Sequence, residues 1–521
     1  MLLASIDIAV VVSYVVALLG LAWWVSREKP GHDKNTQDYF LASKSLPWWA
    51  IGASLVASNI SAEQIIGMSG SGYAIGLAIA SYEWMAAITL IIVGAWLLPV
   101  FLKREIYTMP QFLQQRYDSR VRVTMALFWL GVYIFVNLTA VLWLGALAIS
   151  TLTSLSITVS LVLLAILSLA YSLYGGLKAV ALTDIIQVVL LVLGGLFLSY
   201  ISLEQLGQGN GAFAGFEHLT QALPEKFDMI LTPDNPHYAS LPGISVLLGG
   251  LWVINLSYWG FNQYIIQRAL AAKNLTEARK GIAFAAFLKL LMPVIVVLPG
   301  IAAVLLLPPL ERSDQAYPQL MALMPVGLRG LIFAALLAAI LSSLASMTNS
   351  ISTIFTMDLY APLYPRKSQH HYVKIGRSTS VSAIVIALFT ARPLLGNAEQ
   401  AFQYIQEFTG FFTPGIVVLF LLGLFWKKAT ANGALSAAIS SAVLSLLAKL
   451  WLPHVPFMDR VGYVFIVCLT IAVVVSLVQG EGRDHPGAVK LNDIEFNAAK
   501  SYKLSAAVIS LILICFYATW W

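Results

Sequence analysis

Four charged side chains stand inside hydrophobic runs of this chain: Glu63, Glu83, Asp184 and Lys289. A charge at the centre of a bilayer costs about 3 kcal/mol on insertion scales, so each asks for a partner or a task. The same runs carry the neutral amides Asn59, Gln64, Asn255, Asn262, Gln263, Asn349 and Gln406. A carboxylate, an ammonium and several amides offer donors and acceptors together. That matches a neutral ligand rich in hydroxyls, because a hydroxyl both donates and accepts. Tyr82, Tyr258, Trp259 and Phe402 supply faces on which the C–H side of a sugar can stack, although each ring alone is as well explained by packing. Asn255, Tyr258, Trp259 and Asn262 recur at i, i+3, i+4 and i+7 and share one helical face. In Ala338-Ala-Ile-Leu-Ser-Ser-Leu-Ala-Ser346, the hydroxyls of Ser342 and Ser343 sit side by side in an apolar run. Small residues there serve close helix packing. Beside a broken helix with freed carbonyls they are also hard oxygen ligands for an alkali cation.

The elements that must hold these residues are membrane helices. Of 521 residues, 59% are hydrophobic and 11% charged, with a mean hydropathy of +0.81. A soluble domain is far less apolar and carries about twice the charge. Apolar runs of about 20 residues predict fourteen spans, at 4–25, 46–72, 78–101, 123–149, 155–172, 180–202, 242–266, 281–308, 326–357, 375–395, 402–425, 430–448, 461–479 and 501–520. The fold class expected is all-α integral membrane, a single transporter domain over 1–521 with one long outer loop at 203–241. With the N-terminus outside, 24 of the 31 Lys and Arg fall in inner loops, six in outer loops, and Lys289 within a span. The positive-inside rule then places both termini outside the cytoplasm. This distribution accounts for the net charge of +6 without nucleic acid as a partner. No basic residue precedes the first span, so it does not read as a cleaved leader. Cys468 and Cys515 lie in apolar runs and suggest neither a disulfide nor a metal site.

Two spans are interrupted. Residues 57–67 of the second and 249–263 of the seventh mix polar residues and glycine into otherwise apolar helices. They are five spans apart, and five is odd, so the second unit starts from the opposite membrane face. This predicts an inverted repeat, spans 2–6 (46–202) against spans 7–11 (242–425), flanked by a helix at 4–25 and three at 430–520. Broken helices at corresponding positions are the best sequence pointer to a transporter's binding site. Irregular backbone survives at that depth only where protein or a wet cavity satisfies it.

At this point several motifs carry a resemblance: Asp38-Tyr-Phe-Leu-Ala42, Asn59-Ile-Ser-Ala-Glu-Gln64, Ser81-Tyr-Glu-Trp-Met85, Tyr258-Trp-Gly-Phe-Asn-Gln-Tyr264 and Phe402-Gln-Tyr-Ile-Gln-Glu407. Over nearly its full length the sequence resembles the sodium:solute symporter family, in its sodium/sugar cotransporter branch. The resemblance implies the LeuT-type 5+5 inverted repeat and inward Na+ flow coupled to uptake of a galactose- or glucose-class sugar across the plasma (inner) membrane. It implies that Gln64, Glu83, Asn255, Lys289 and Gln406 hold the sugar hydroxyls, with Asn59, Glu63 and Tyr82 close by. Tyr258 is implied as an inner gate stacking beneath the sugar beside Trp259, and Met68, Tyr82 and Phe402 as an outer hydrophobic gate. Na+ as the co-transported ion is implied at the carbonyls of Ala57, Ile60 and Ala339 and the hydroxyls of Ser342 and Ser343, with Asp184 on its exit path. Ala86 and Ser257 stand where a bacterial galactose-transporting relative has Ser and Tyr. Ala345 stands where some relatives have a serine that completes a second ion site, which predicts one Na+ per sugar. The readings left open are a symporter for inositol, a sialic-acid-like anion or a proline-like solute, a proton-driven mechanism through Glu63 or Asp184, and an uncoupled facilitator. No nucleophile or metal constellation points to an enzyme.

Overall fold

The structure, a computed structural model, describes residues 3–26, 47–106, 109–174, 177–398, 400–480 and 482–521. Among the described residues there are helices and connections and no strand. The chain opens with α1 (Ser5–Ser26), α2 (Trp48–Asn59), α3 (Met68–Ala74) and α4 (Leu77–Lys103). It continues through α5 (Met109–Arg116), α6 (Ser119–Thr153), α7 (Ile157–Tyr174), α8 (Leu177–Leu206) and α9 (Ala212–Ala222). The middle holds α10 (Gly250–Leu256), α11 (Gln263–Leu270), α12 (Leu275–Leu306), α13 (Ala316–Leu320), α14 (Leu328–Leu363) and α15 (Gln369–Leu395). Last come α16 (Ala401–Thr409), α17 (Thr413–Phe425), α18 (Ala431–Trp451), α19 (Phe457–Gln479) and α20 (Lys500–Thr519).

Nine described helices are long and apolar enough to cross a membrane, or ten if α16 and α17, bent by 47° at their junction, are one span. The described continuous helices thus account for nine or ten of the fourteen expected spans. The pairs α2–α3 and α10–α11 are each interrupted in the middle, and α1, with 22 residues, and α7, with 18, are apolar helices besides.

Helix α12 sets the position of the interruption. It packs along α2 and then along α3, on either side of the break. A Cβ at Gly281 would lie 2.7 Å from Ile51 Cβ, and one at Gly300 would lie 2.1 Å from the Ser69 carbonyl oxygen. Glycine at both crossings lets the backbones touch, the usual device for close helix packing in lipid. Lys289 lies between the two crossings and so faces the level of the break. The 203–241 connection folds over the far end of α3. Its Lys226 Nζ donates to the carbonyls of Tyr73 and Ala74 at 3.1 and 2.6 Å, satisfying groups that the helix end leaves open.

Candidate substrate site

The first break falls at Ile60, whose backbone is extended (φ −74°, ψ 101°), and the helical ladder stops where Ile60 N meets the Val56 carbonyl at 2.8 Å. Ser58, Asn59 and Ser61 favour such an ending, because short polar side chains compete for backbone groups. Ser58 Oγ donates to the Leu55 carbonyl at 2.9 Å, and Ser61 Oγ accepts from Glu63 N at 3.3 Å. The extended residue takes the carbonyls of Ala57 and Ser58 out of the ladder. The chain resumes as a π-turn, Glu63–Gly67, before α3. In the seventh span the π-turn comes first, Ser257–Phe261 directly after α10, and the extended residue, Asn262 (φ −82°, ψ 119°), follows it. Widened turns of this kind are frequent at functional sites.

Side chains from five elements knot together between the breaks. Lys289 on α12 and Glu83 on α4 pair at 2.6 Å, with the two residues 0% and 2% exposed. Lys289 Nζ also donates to Asn59 Oδ1 at the end of α2. From the first π-turn, Gln64 Nε2 donates to Glu83 Oε1 and, at 3.4 Å, to Asn59 Oδ1. Asn59 Nδ2 donates to Tyr258 Oη on the second π-turn at 3.0 Å, and Lys289 Nζ stands 4.8 Å from the Trp259 ring centroid. The two charges cancel, and amides take up the remaining hydrogen-bonding capacity, as burial requires.

The knot forms one side of a cavity. Asn59, Glu63, Gln64, Tyr82, Glu83, Asn255, Tyr258, Trp259, Phe402 and Gln406 all line it. Lys289 does not. It sits behind the wall, held by Glu83 and Asn59. Asn255 turns its amide back on its own helix, Nδ2 to the Leu251 carbonyl at 3.2 Å. Met68, Tyr82 and Phe402 are buried, and the last two meet edge to face at 5.0 Å. Ala339, Ser342 and Ser343 lie on α14, which packs on α1, α7, α8 and α15, whereas α2 packs on α8, α11 and α12. Helices α2 and α14 thus share α8 as a neighbour. The Asp184 side chain and the 38–42 motif lie outside the described residues.

Sequence reasoning missed part of the wall. Trp129, Tyr133, Asn137, Thr409 and Thr413 also line the cavity. Tyr133 Oη donates to Asn262 Oδ1 at 2.8 Å, tying a π-turn of α6 (Tyr133–Leu138) to the second break. The signal was available: Asn137 is an amide inside an apolar span, four residues from Tyr133. Thr409 and Thr413 flank the bend between α16 and α17, which their sequence does not announce.

Comparison with known proteins now decides the family. The sodium:solute symporter family model matches residues 39–440. The chain belongs to the sodium:solute symporter family. A sodium/glucose cotransporter of Vibrio parahaemolyticus is 50% identical over 100% of this chain and 99% of its own length. Sodium/myo-inositol cotransporter 2 of Sus scrofa is 34% identical over 85% of this chain and 69% of its own. A Na+-coupled sialic acid symporter, solved in a substrate-bound outward-open state, superposes with a TM-score of 0.77 at 23% identity, covering 91% of this chain and 98% of the other. The fold is therefore the all-helical one of that symporter. This family member is a multi-pass membrane protein.

Proposed function

We propose that the protein is a secondary active symporter that couples inward Na+ flow to uptake of a neutral sugar of the galactose or glucose class by alternating access, at one Na+ per sugar. The observation that carries this reading is the neutralised knot of Lys289, Glu83, Asn59 and Gln64 at the wall of the cavity. An anionic substrate would want an uncompensated cation there, and Glu83 compensates Lys289. Gln64, Glu83, Asn255 and Gln406 then meet the sugar hydroxyls, and Tyr258 meets a ring face. Each hydroxyl takes over a hydrogen bond that the knot now makes within itself. The full-length similarity to a relative named as a sodium/glucose cotransporter supports the same substrate class.

Na+ is cargo here, held by the carbonyls of Ala57, Ile60 and Ala339 and the hydroxyls of Ser342 and Ser343, and leaving past Asp184. Ala345, where a second site would need an oxygen, limits the count to one. Both ligands use the segment around Ile60, so each favours the conformation the other needs; such coupling is reciprocal and typically about 1–3 kcal/mol. One charge crossing about 100 mV releases roughly 2.3 kcal/mol, and a tenfold gradient adds about 1.4 kcal/mol. Together they support accumulation of several hundredfold. The protein works in the plasma (inner) membrane with both termini extracytoplasmic, and it is no enzyme.

The test is uptake of radiolabelled galactose, glucose and myo-inositol into proteoliposomes under inward gradients of sodium or potassium at fixed pH. Sodium-specific accumulation of a hexose, with a sodium Hill coefficient near 1, is expected. Accumulation of myo-inositol alone moves the substrate to the polyols. Equal uptake with either cation removes the coupling.

A further inference from the structure

The connection between α12 and α14 holds a buried carboxylate with no part in the transport scheme above. Asp314 lies in a single 3-10 turn, Ser313–Gln315, and is 0% exposed. Its backbone rests on α3, where a Cβ at Gly70 would come within 2.7 Å of Asp314 Cα and 2.8 Å of its nitrogen. Only glycine permits this approach. Asp314 Oδ2 accepts from the backbone N of Ala401, the first residue of α16, at 3.1 Å. That amide is one of the donors a helix start leaves unsatisfied, and a carboxylate suits the positive end of the helix. The residue placed to cap α16 from within, Gln400, makes no side-chain cap. Its Oε1 accepts from Ser71 Oγ of α3 at 2.9 Å.

The connection is itself anchored. Arg312 donates to the carbonyls of Ala398 at 3.2 Å and Leu395 at 3.4 Å, and also to that of Gly396, at the end of α15, and it lies 5.3 Å from the Trp143 ring centroid. Two ties therefore join α3 to the start of α16, one through Asp314 and one through Ser71 and Gln400. Helix α16 carries Phe402, packed on Tyr82, and Gln406 on the cavity wall. Burial pushes the Asp314 carboxyl up to about 7, against the Ala401 hydrogen bond and the Arg312 charge. An uncharged amide of the same shape is accordingly the conservative replacement.

We propose that Asp314 is a positioning residue of the external gate: by capping α16 across the connection it holds that helix against α3, and so keeps Phe402 and Gln406 over the cavity in the closed arrangement. This deepens the alternating-access reading and rests on it.

The experiment measures access to the cavity and needs no sugar. In the full chain with Cys468→Ser and Cys515→Ser, Ala86→Cys places a reporter thiol on the cavity wall. A membrane-impermeant thiol reagent is added outside right-side-out proteoliposomes in sodium. Asp314→Ala should speed labelling roughly fivefold, the loss of one helix cap read as a shift toward the open gate. Asp314→Asn keeps an acceptor oxygen for Ala401 N and should label at the parent rate. An unchanged rate in Asp314→Ala overturns the proposal, and so does Asp314→Asn labelling as fast as Asp314→Ala. Should Asp314→Ala fail to assemble, Ser71→Ala cuts the parallel tie and should speed labelling by a smaller factor; a rate at or below the parent's overturns the proposal equally. Failure of sodium-driven sugar uptake in the parent would remove the symport reading but leave this labelling comparison readable.

Discussion

The two broken helices are built from the same parts in opposite order. The first has its extended residue, Ile60, before the π-turn at 63–67; the second has its extended residue, Asn262, after the π-turn at 257–261. Asn59, next to Ile60, bonds Tyr258 of the second π-turn, and Arg268 Nε donates to Ser54 Oγ at 3.1 Å farther along α11 and α2, so both extended residues lie at the same end of that helix pair. A strict inverted repeat would have put them at opposite ends. The departure lets the two copies divide the work. The first break bares carbonyls on one side and presents Asn59 and Gln64 to the charged pair on the other. The second presents Tyr258 and Trp259 and gives its own amide, Asn262, to Tyr133. In the proposed scheme the first break serves a cation and hydroxyls, and the second a ring face.

The largest effect should come from severing the charges at the first break. Lys289→Ala leaves Glu83 buried without its cation, and breaking a buried pair costs about 3–5 kcal/mol. Thermal unfolding in detergent should show a large loss of stability together with loss of uptake. The double replacement Lys289→Met with Glu83→Gln should regain most of the stability and none of the uptake. A double variant as unstable as the single one would mean that packing, and not charge balance, fixes this region.

Next come Gln64 at the first break and Ser343 on α14, one for each ligand of the proposed scheme. Gln64→Ala removes an amide that bonds Glu83 and faces the cavity, and should weaken sugar affinity by about 1–3 kcal/mol while sodium still raises thermal stability. Ser343→Ala should do the reverse, lowering sodium-dependent stabilisation with a smaller effect on sugar at saturating sodium. If both variants lose the sodium effect equally, the division of labour between carbonyl side and amide side is wrong.

Much of this site was legible because membranes make polar residues conspicuous. Glu83, Lys289 and Gln64 stand out in apolar runs, and the structure joins the three directly. The interruptions at 57–67 and 249–263 were readable for the same reason. Asn59 was visible, but its place as the hub between Lys289, Gln64 and Tyr258 depends on a helix end whose position a pattern does not fix. Hydropathy marks an apolar run but does not see where a helix inside it breaks, so the breaks at Ile60 and Asn262 had to come from the polar residues around them. Asp314 was invisible in principle: an aspartate in a polar connection reads as solvated, and only the approach of Gly70 and Ala401 buries it.

The smallest expected effect discriminates best between the two breaks. Tyr258 Oη accepts from Asn59 Nδ2, so Tyr258→Phe keeps the ring but removes the hydrogen bond that joins the first break to the second. Tyr133→Phe removes the bond to Asn262, which serves the second break alone. Each loss is worth about 1 kcal/mol, or roughly fivefold. The consequences should differ in kind. With Tyr258→Phe, the Asn59 amide loses its tie to the ring-bearing turn while its oxygen stays on Lys289, so the apparent affinities for sugar and for sodium should both fall. With Tyr133→Phe, sugar affinity alone should fall, because nothing on the carbonyl side of the first break is touched. Initial-rate uptake over a grid of sugar and sodium concentrations separates the two. Equal sodium effects in the two variants would show that the breaks respond as one unit and that the order of their parts is incidental.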